Sequence, residues 1–372
     1  MKIERVEPIP VAVPEPNDFG HARHLCLVKL TADDGQVGWG ESVTTWPEAT
    51  AATVRIIEGL APLVIGRDPA ASEAIWDALR QHTFWYGHGG IASFALSAID
   101  IAVWDLKGKA CGQPLVNLLG GAVKERIPTI ISAHPHDESL GQMADQIAGW
   151  LEAGHHGYKF GMGKRGDARL GVDIARDVEF VRRIREAVGP EKWIMPDNGY
   201  YTPWSLRDAL RRIKAWEEYD VHWVEEPLEQ SNLHGYRVLR EQVEPMLALG
   251  EREWNVREYE RLIRSGLVDV VGVDPGRVEG VTGCRKIVDL IETERCYFNA
   301  HAWSSAIVSA VSIALSAATH SSLLFELKPL PNPMQDDLVA EPLVGADGWI
   351  SAPTAPGLGI EVQEDAVRHY AA

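Results

Sequence analysis

Apolar and polar positions follow two different rhythms along the chain, and the change between them falls near residue 126. Residues 2–13 and 24–32 alternate one by one, the period of a half-buried strand. Asp33-Asp34-Gly35-Gln36 then supplies a hairpin turn, and Val37-Gly38-Trp39-Gly40-Glu41 returns as a third strand. Between the first two strands, Pro14-Glu15-Pro16-Asn17-Asp18-Phe19-Gly20-His21 is dense in turn formers and predicts a mobile loop. Helical periodicity follows over 47–82 and 89–119, the second run stopping at Gly120-Gly121.

Beyond residue 126, short apolar runs alternate with amphipathic helical stretches, the pattern of repeated βα units and a parallel sheet. The runs are 126–134, 156–160, 193–197, 221–226, 246–251, 268–274, 296–301 and 322–326. Eight such units in about 200 residues predict a (β/α)₈ barrel of the α/β class. The chain therefore divides into a first domain over 1–125 and a barrel over 126–344. A tail over 345–372 carries Pro/Gly turns around a short strand, Leu358 to Val362, and is expected to pack back on the first domain.

In such a barrel the C-terminal strand ends converge on one rim. At the last or next-to-last position of the eight runs stand His134, Lys159, Asp197, Glu225, Glu251, Asp274, His301 and Glu326. A polar residue after one strand means little, because loops are wet. Eight ionisable residues in succession point to a site. Asp197, Glu225 and Glu251 end three adjacent strands, and three facing carboxylates repel one another unless a cation intervenes. Hard oxygen donors select Mg²⁺, which leaves positions open for water or an anionic substrate. Asp274 and His301 sit opposite, and a carboxylate beside an imidazole fixes its tautomer and suits it as a general acid/base. Lys159 is a cation facing the same basin.

The remaining chemistry is set by charge and by absences. A net charge of −17 excludes nucleic acid as a partner, since phosphate binding needs a basic face. No stretch has the length of a membrane span, and Met1-Lys2-Ile3-Glu4-Arg5 does not open a signal peptide. Cys26, Cys111, Cys284 and Cys296 are scattered without a paired spacing, as expected of free thiols in a cytoplasmic protein.

Several segments together resemble the enolase superfamily, within it the mandelate racemase/muconate lactonizing enzyme group. They are Val37-Gly38-Trp39-Gly40-Glu41, the helix Ala98 to Lys109, Trp223-Val224-Glu225-Glu226-Pro227, Gly280-Val281-Thr282-Gly283 and Pro356-Gly357-Leu358-Gly359-Ile360. The resemblance implies a modified (β/α)₈ TIM barrel with an α+β N-terminal capping domain and a bound Mg²⁺. It implies metal ligands at Asp197, Glu225 and Glu251, an Asp274–His301 base and a proton-donating Glu326. The shared reaction step is abstraction of the proton α to a carboxylate.

Two departures from the family pattern stand out. The usual Lys-x-Lys of the second strand is Lys159-Phe160-Gly161, so the second lysine is missing and that face of the substrate looks bare. This favours one-base chemistry: His301 takes the α-proton and then assists a β-hydroxyl to leave, as in dehydration of a sugar acid. Cycloisomerisation of a lactone, or epimerisation, is the alternative. The second departure is Pro196-Asp197-Asn198-Gly199, one residue shorter after the ligand than the familiar Asp-x-Asn.

Specificity is expected from the capping loops: His21, Arg23 and His24, Trp46, the Trp85-Tyr86 turn and His88, with His134 and His136 on the rim. His134-Pro135-His136 also matches a zinc amidohydrolase, but that reading needs Lys, His, His and Asp at later strand ends where this chain has Glu, Glu, Asp and Glu. A non-catalytic binding protein on the same fold is the rival of a different class. A homo-oligomer acting on a small acid sugar is the expected assembly and partner.

Overall fold

The alternating first segment forms a three-stranded antiparallel sheet: β1 (Ile3–Glu15), β2 (His21–Ala32) and β3 (Val37–Thr45), in that order. The structure, a computed structural model, describes residues 1–164, 166–199 and 201–372. The expected mobile loop is largely absorbed into strands, whose pairing runs on to Glu15 and His21. What remains is one 3₁₀ turn, Pro16–Asp18, and it is tied down. Asn17 Nδ2 donates to Glu15 Oε1 at 3.0 Å and to Leu330 O at 2.9 Å. Lys328 Nζ donates to Glu15 Oε2 at 2.8 Å. Burial pushes the Glu15 carboxyl up, but Lys328's charge and hydrogen bond outweigh it and hold the pKa at about 2.

All eight apolar runs of the second segment become strands of one sheet. They are β4 (Ile127–Ala133), β5 (Gly157–Gly161), β6 (Trp193–Asp197), β7 (Trp223–Glu225), β8 (Met246–Leu249), β9 (Val270–Val273), β10 (Tyr297–Ala300) and β11 (Phe325–Leu327). The order β10-β9-β8-β7-β6-β5-β4-β11 is parallel throughout, and a bridge from Phe298 to Ser322 joins its two ends. The ring is therefore nearly closed.

Four helices follow the first sheet: α1 (Pro47–Leu60), α2 (Ser72–Thr83), α3 (Ile91–Cys111) and the short α4 (Leu115–Leu118). The barrel adds α5 (Leu140–Leu151), α6 (Ile174–Val188), α7 (Leu206–Trp216), α8 (Leu233–Gln242), α9 (Val256–Arg264), α10 (Gly280–Thr293), α11 (Ala306–Ala317) and α12 (Pro333–Asp336). α3 is buried along nearly its whole length, and a helix apolar all round must be covered on every side. β3 covers one side and α10 another. β3 can lie this close because of Gly40, where any Cβ would run into the Ala98 carbonyl. On the barrel side, α10 has no side-chain cap of its own. Asp100 of α3 takes that part, accepting from Thr282 N at 2.8 Å and Thr282 Oγ1 at 2.7 Å. Burial pushes the Asp100 carboxyl up to about 7, although the Thr282 bonds pull the other way.

The tail differs from expectation in one respect. Residues 358–362 make no strand, because Gly357 at φ 78° and Gly359 at φ 73° turn the backbone away from extension. The short strand is instead β12 (Trp349–Ile350), antiparallel to β4. The tail nevertheless docks on the first domain: Leu115 N donates to Gly357 O at 2.7 Å and Leu358 N to Asp105 Oδ1 at 2.9 Å. α13 (Glu364–Tyr370) lies along β1, with Lys29 Nζ 2.6 Å from Glu364 Oε1. Among the described residues no helix is long and apolar enough to cross a membrane.

Candidate active site at the barrel mouth

Strand register brings the polar strand ends together. Gly161 pairs with Asp197 across β5 and β6, and Asp197 with Glu225 across β6 and β7. Lys159 projects into their midst, its Nζ 2.8 Å from Glu225 Oε2, 3.1 Å from Glu326 Oε1 and 3.5 Å from Asp197 Oδ2. Glu326 also accepts from Asn299 Nδ2 at 2.9 Å. Burial alone would lower the lysine, but the carboxylates of Glu225, Glu326 and Asp197 outweigh it and hold the ammonium well above its ordinary pKa. Burial raises Asp197 and Glu225, mutual repulsion adds to it, and Lys159 offsets only part.

On the other side of the mouth, His301 Nδ1 lies 2.6 Å from Asp274 Oδ2 and its Nε2 3.3 Å from Glu251 Oε2. Asp274 is itself fixed, accepting from Gly276 N at 2.8 Å. Burial opposes an imidazolium here, yet the Glu251 charge and the Asp274 bond prevail and raise the His301 pKa. Burial likewise pushes Glu251 up, and His301 and Lys159 reverse it, leaving about 2.

Part of this cluster opens onto a cavity of about 470 Å³ between the barrel and the first domain; Glu225 and Asp274 stand behind its wall, and Glu326 lines a separate cavity. His21, Arg23, Trp46 and His134 line it together with Lys159, Asp197, Glu251 and His301. Four expected residues, His24, Trp85, His88 and His136, do not. Successive side chains on a strand point to opposite faces, so His24 turns away where Arg23 turns in; it is absent from the lining. Trp85 is 90% exposed, edge-on to Phe84 in an outward turn, and does not reach the cavity. His88 is taken up by the Arg80 carbonyl at 2.9 Å, and His136 is exposed and packs edge-on against Phe19. Sequence reasoning also missed several lining residues: Asp18, Lys164, Tyr201, Arg277 and Trp303. Lys164 and Tyr201 had a legible signal, since each follows a strand end within a few residues. Trp303 had one too, two residues beyond His301.

The donor set fits a hard divalent cation. Among the described residues no three acidic or imidazole side chains are gathered tightly enough to read directly as a metal site. The Lys159 ammonium stands among the carboxylates. Yet Asp197 Oδ1 is buried without a hydrogen-bond partner among the described residues, an acceptor that calls for a cation or a donor. The elevated pKa values of Asp197 and Glu225 carry the same message, for a dication is what would let both ionise.

Two family models cover most of the chain: the mandelate racemase/muconate lactonizing enzyme N-terminal domain over residues 5–120, and an enolase C-terminal domain-like model over 142–366. The chain belongs to the enolase superfamily, in its mandelate racemase/muconate lactonizing enzyme group. A D-gluconate dehydratase of Thermoproteus tenax is 28% identical over 100% of this chain and 74% of its own length. A D-galactarolactone cycloisomerase of Agrobacterium fabrum is 28% identical over 95% of this chain and 92% of its own. Among solved structures, a racemase from Streptomyces coelicolor with bound magnesium superposes with a TM-score of 0.88 at 25% identity, covering 100% of both chains. Superfamily relatives thus include dehydratases and cycloisomerases of sugar acids, which fits this site to that kind of reaction and leaves the individual substrate open.

Proposed function

We propose that this protein is a magnesium-dependent lyase that dehydrates a sugar acid to its 2-keto-3-deoxy acid. The observation that carries the reading is the asymmetry between the two strand ends that would flank the substrate, one carrying a base and the other a glycine. His301, backed by Asp274 at 2.6 Å, faces the cavity, while the second-strand position that would oppose it is Gly161. Asp197, Glu225 and Glu251 would hold the cation, whose contribution when bound is to stabilise negative charge developing on the substrate carboxylate.

The residues of the chain then divide the work. Asp274 fixes the His301 tautomer so that Nε2 faces the substrate and takes the α-proton. As imidazolium, His301 gives the proton to the β-hydroxyl, which departs as water, and the enol relaxes to the keto acid. Lys159 balances carboxylate charge at the centre, and Glu326 lies next to it as the hydrogen-bond partner for a substrate carboxylate oxygen. Lactone cycloisomerisation begins with the same proton abstraction and is the alternative; epimerisation needs a second acid/base face.

We expect the enzyme to work in the cytoplasm as a homo-oligomer, and the outward Phe84-Trp85-Tyr86 turn offers an apolar surface for assembly. The test of the reaction is a panel of acid sugars with Mg²⁺ in D₂O, followed for α-deuterium exchange and for 2-keto-3-deoxy acids. Absence of exchange, dehydration and isomerisation across the panel would leave a binding protein on the same fold.

A further inference from the structure

The bare face at Gly161 is not an empty one. A Cβ at residue 161 would stand 2.5 Å from His134 Nδ1, 2.8 Å from His134 Cε1 and 3.1 Å from Lys164 Cε. The place of a second-strand side chain is therefore taken by an imidazole from β4 and a lysine stem from the loop after β5. His134 Nδ1 is buried there with no hydrogen-bond partner among the described residues. Its ring packs against Trp303 with centroids 4.7 Å apart and planes tilted by 32°. Arg23 of the first domain reaches the same tryptophan, its Nη1 2.6 Å from Trp303 O and its guanidinium 5.8 Å from the ring centroid. Lys164 Nζ stands 3.4 Å from the Tyr201 ring centroid.

We propose that this end of the cavity, walled by Arg23, His134 and Lys164 over Gly161, is an anion subsite, and that the substrate is a sugar diacid or its monolactone. The proposal rests on the dehydratase reading and narrows its substrate. The cavity's carboxylates Asp197 and Glu251 belong to the cluster at the barrel centre; Arg23 is felt by Glu15 and Lys164 by Asp197, in each case at a distance and not as a direct ion pair. Neither Arg23 nor Lys164 has a carboxylate in ion-pair reach among the described residues. A second substrate carboxylate supplies the missing charge and accepts from the guanidinium fork. A monoacid would place a neutral hydroxymethyl group there and leave both cations unmatched. Burial, helped by Lys164, Arg23, Lys159 and Lys328, holds His134 well below its ordinary pKa, so a neutral ring presents a donor or acceptor to the ligand rather than a third charge.

The experiment is calorimetric titration of the Mg²⁺-loaded protein with hexose-derived diacids, among them D-glucarate and galactarate, against D-gluconate and D-galactonate. Product assays run on the same acids. At least one diacid should bind about tenfold or more tightly than its matched monoacid, the weight of a charge-assisted contact. Arg23→Met and Lys164→Met, each checked for an unchanged melting profile, should each shrink that ratio. Equal affinities, a preference for monoacids, or a diacid preference that survives both substitutions would overturn the subsite. If monoacids alone are dehydrated, the subsite fails and the dehydratase reading stands. If diacids bind through Arg23 and Lys164 but none is transformed, the subsite stands and the reaction fails.

Discussion

Asp274 Oδ2 approaches His301 Nδ1 to 2.6 Å, and Glu251 Oε2 stands 3.3 Å from the opposite ring nitrogen. The imidazole is thus oriented from one side by the dyad and faced on the other by a candidate metal ligand. His301→Asn should abolish both α-deuterium exchange and turnover while leaving the melting temperature nearly unchanged. Asp274→Asn keeps the ring but loses the anionic partner, and should slow turnover by roughly 10²–10⁴-fold. Undiminished exchange in His301→Asn would remove this residue from the mechanism.

Asp197 Oδ1 is buried and has no hydrogen-bond partner among the described residues, and Mg²⁺ should satisfy it. Magnesium that binds the folded chain alone stabilises it by about 2.7 kcal/mol at 100 times its Kd. The melting temperature should therefore climb with Mg²⁺ and fall back with a chelator. Asp197→Asn should flatten that response. An identical magnesium-dependent rise in the variant would take Asp197 out of the ligand set.

Gly161→Ala tests the packing of the mouth. The added methyl would meet His134 Nδ1 at 2.5 Å, so the imidazole or β5 must shift. Overpacking of this sort costs about 1–3 kcal/mol of stability. Substrate affinity should fall along with the melting temperature. If both stay at wild-type levels, His134 moves aside freely and is not a fixed wall.

Asp100 carries a pH signature. Its folded pKa, about 7 against an ordinary 3.8, is raised by burial. Between these values the folded state holds more protons than the unfolded state, so stability declines as pH rises. The full contribution is present below about pH 4 and is gone above about 7, a loss on the order of 4 kcal/mol. Asp100→Asn should remove this slope, as chemical denaturation at pH 4.5 and 8 would reveal. Parallel pH dependence in wild type and variant would mean that Asp100 is already accommodated as an anion.

The sequence was most informative where the fold repeats itself. Each barrel strand announces its end with an ionisable residue, and register alone then lines up Gly161, Asp197 and Glu225. What escaped depends on partners far away along the chain. Glu15 and Asn17 are fastened by Lys328 and Leu330, with 313 residues between the members of each pair, so the turn read as loose. His24 and Trp85 have the chemistry of binding residues, but one lies on the wrong face of its strand and the other points outward. Lys164 follows a strand end closely enough to be read as a rim residue, but that it covers Gly161 is visible only in the folded chain.

The tail's hold on Asp105 and β1 also bears on the order in which the molecule can be assembled. Because the segment from Gly357 onward seals the first domain, that domain emerges early from the ribosome yet stays incomplete until the barrel has been synthesised. The barrel must then mature beside an unfinished neighbour.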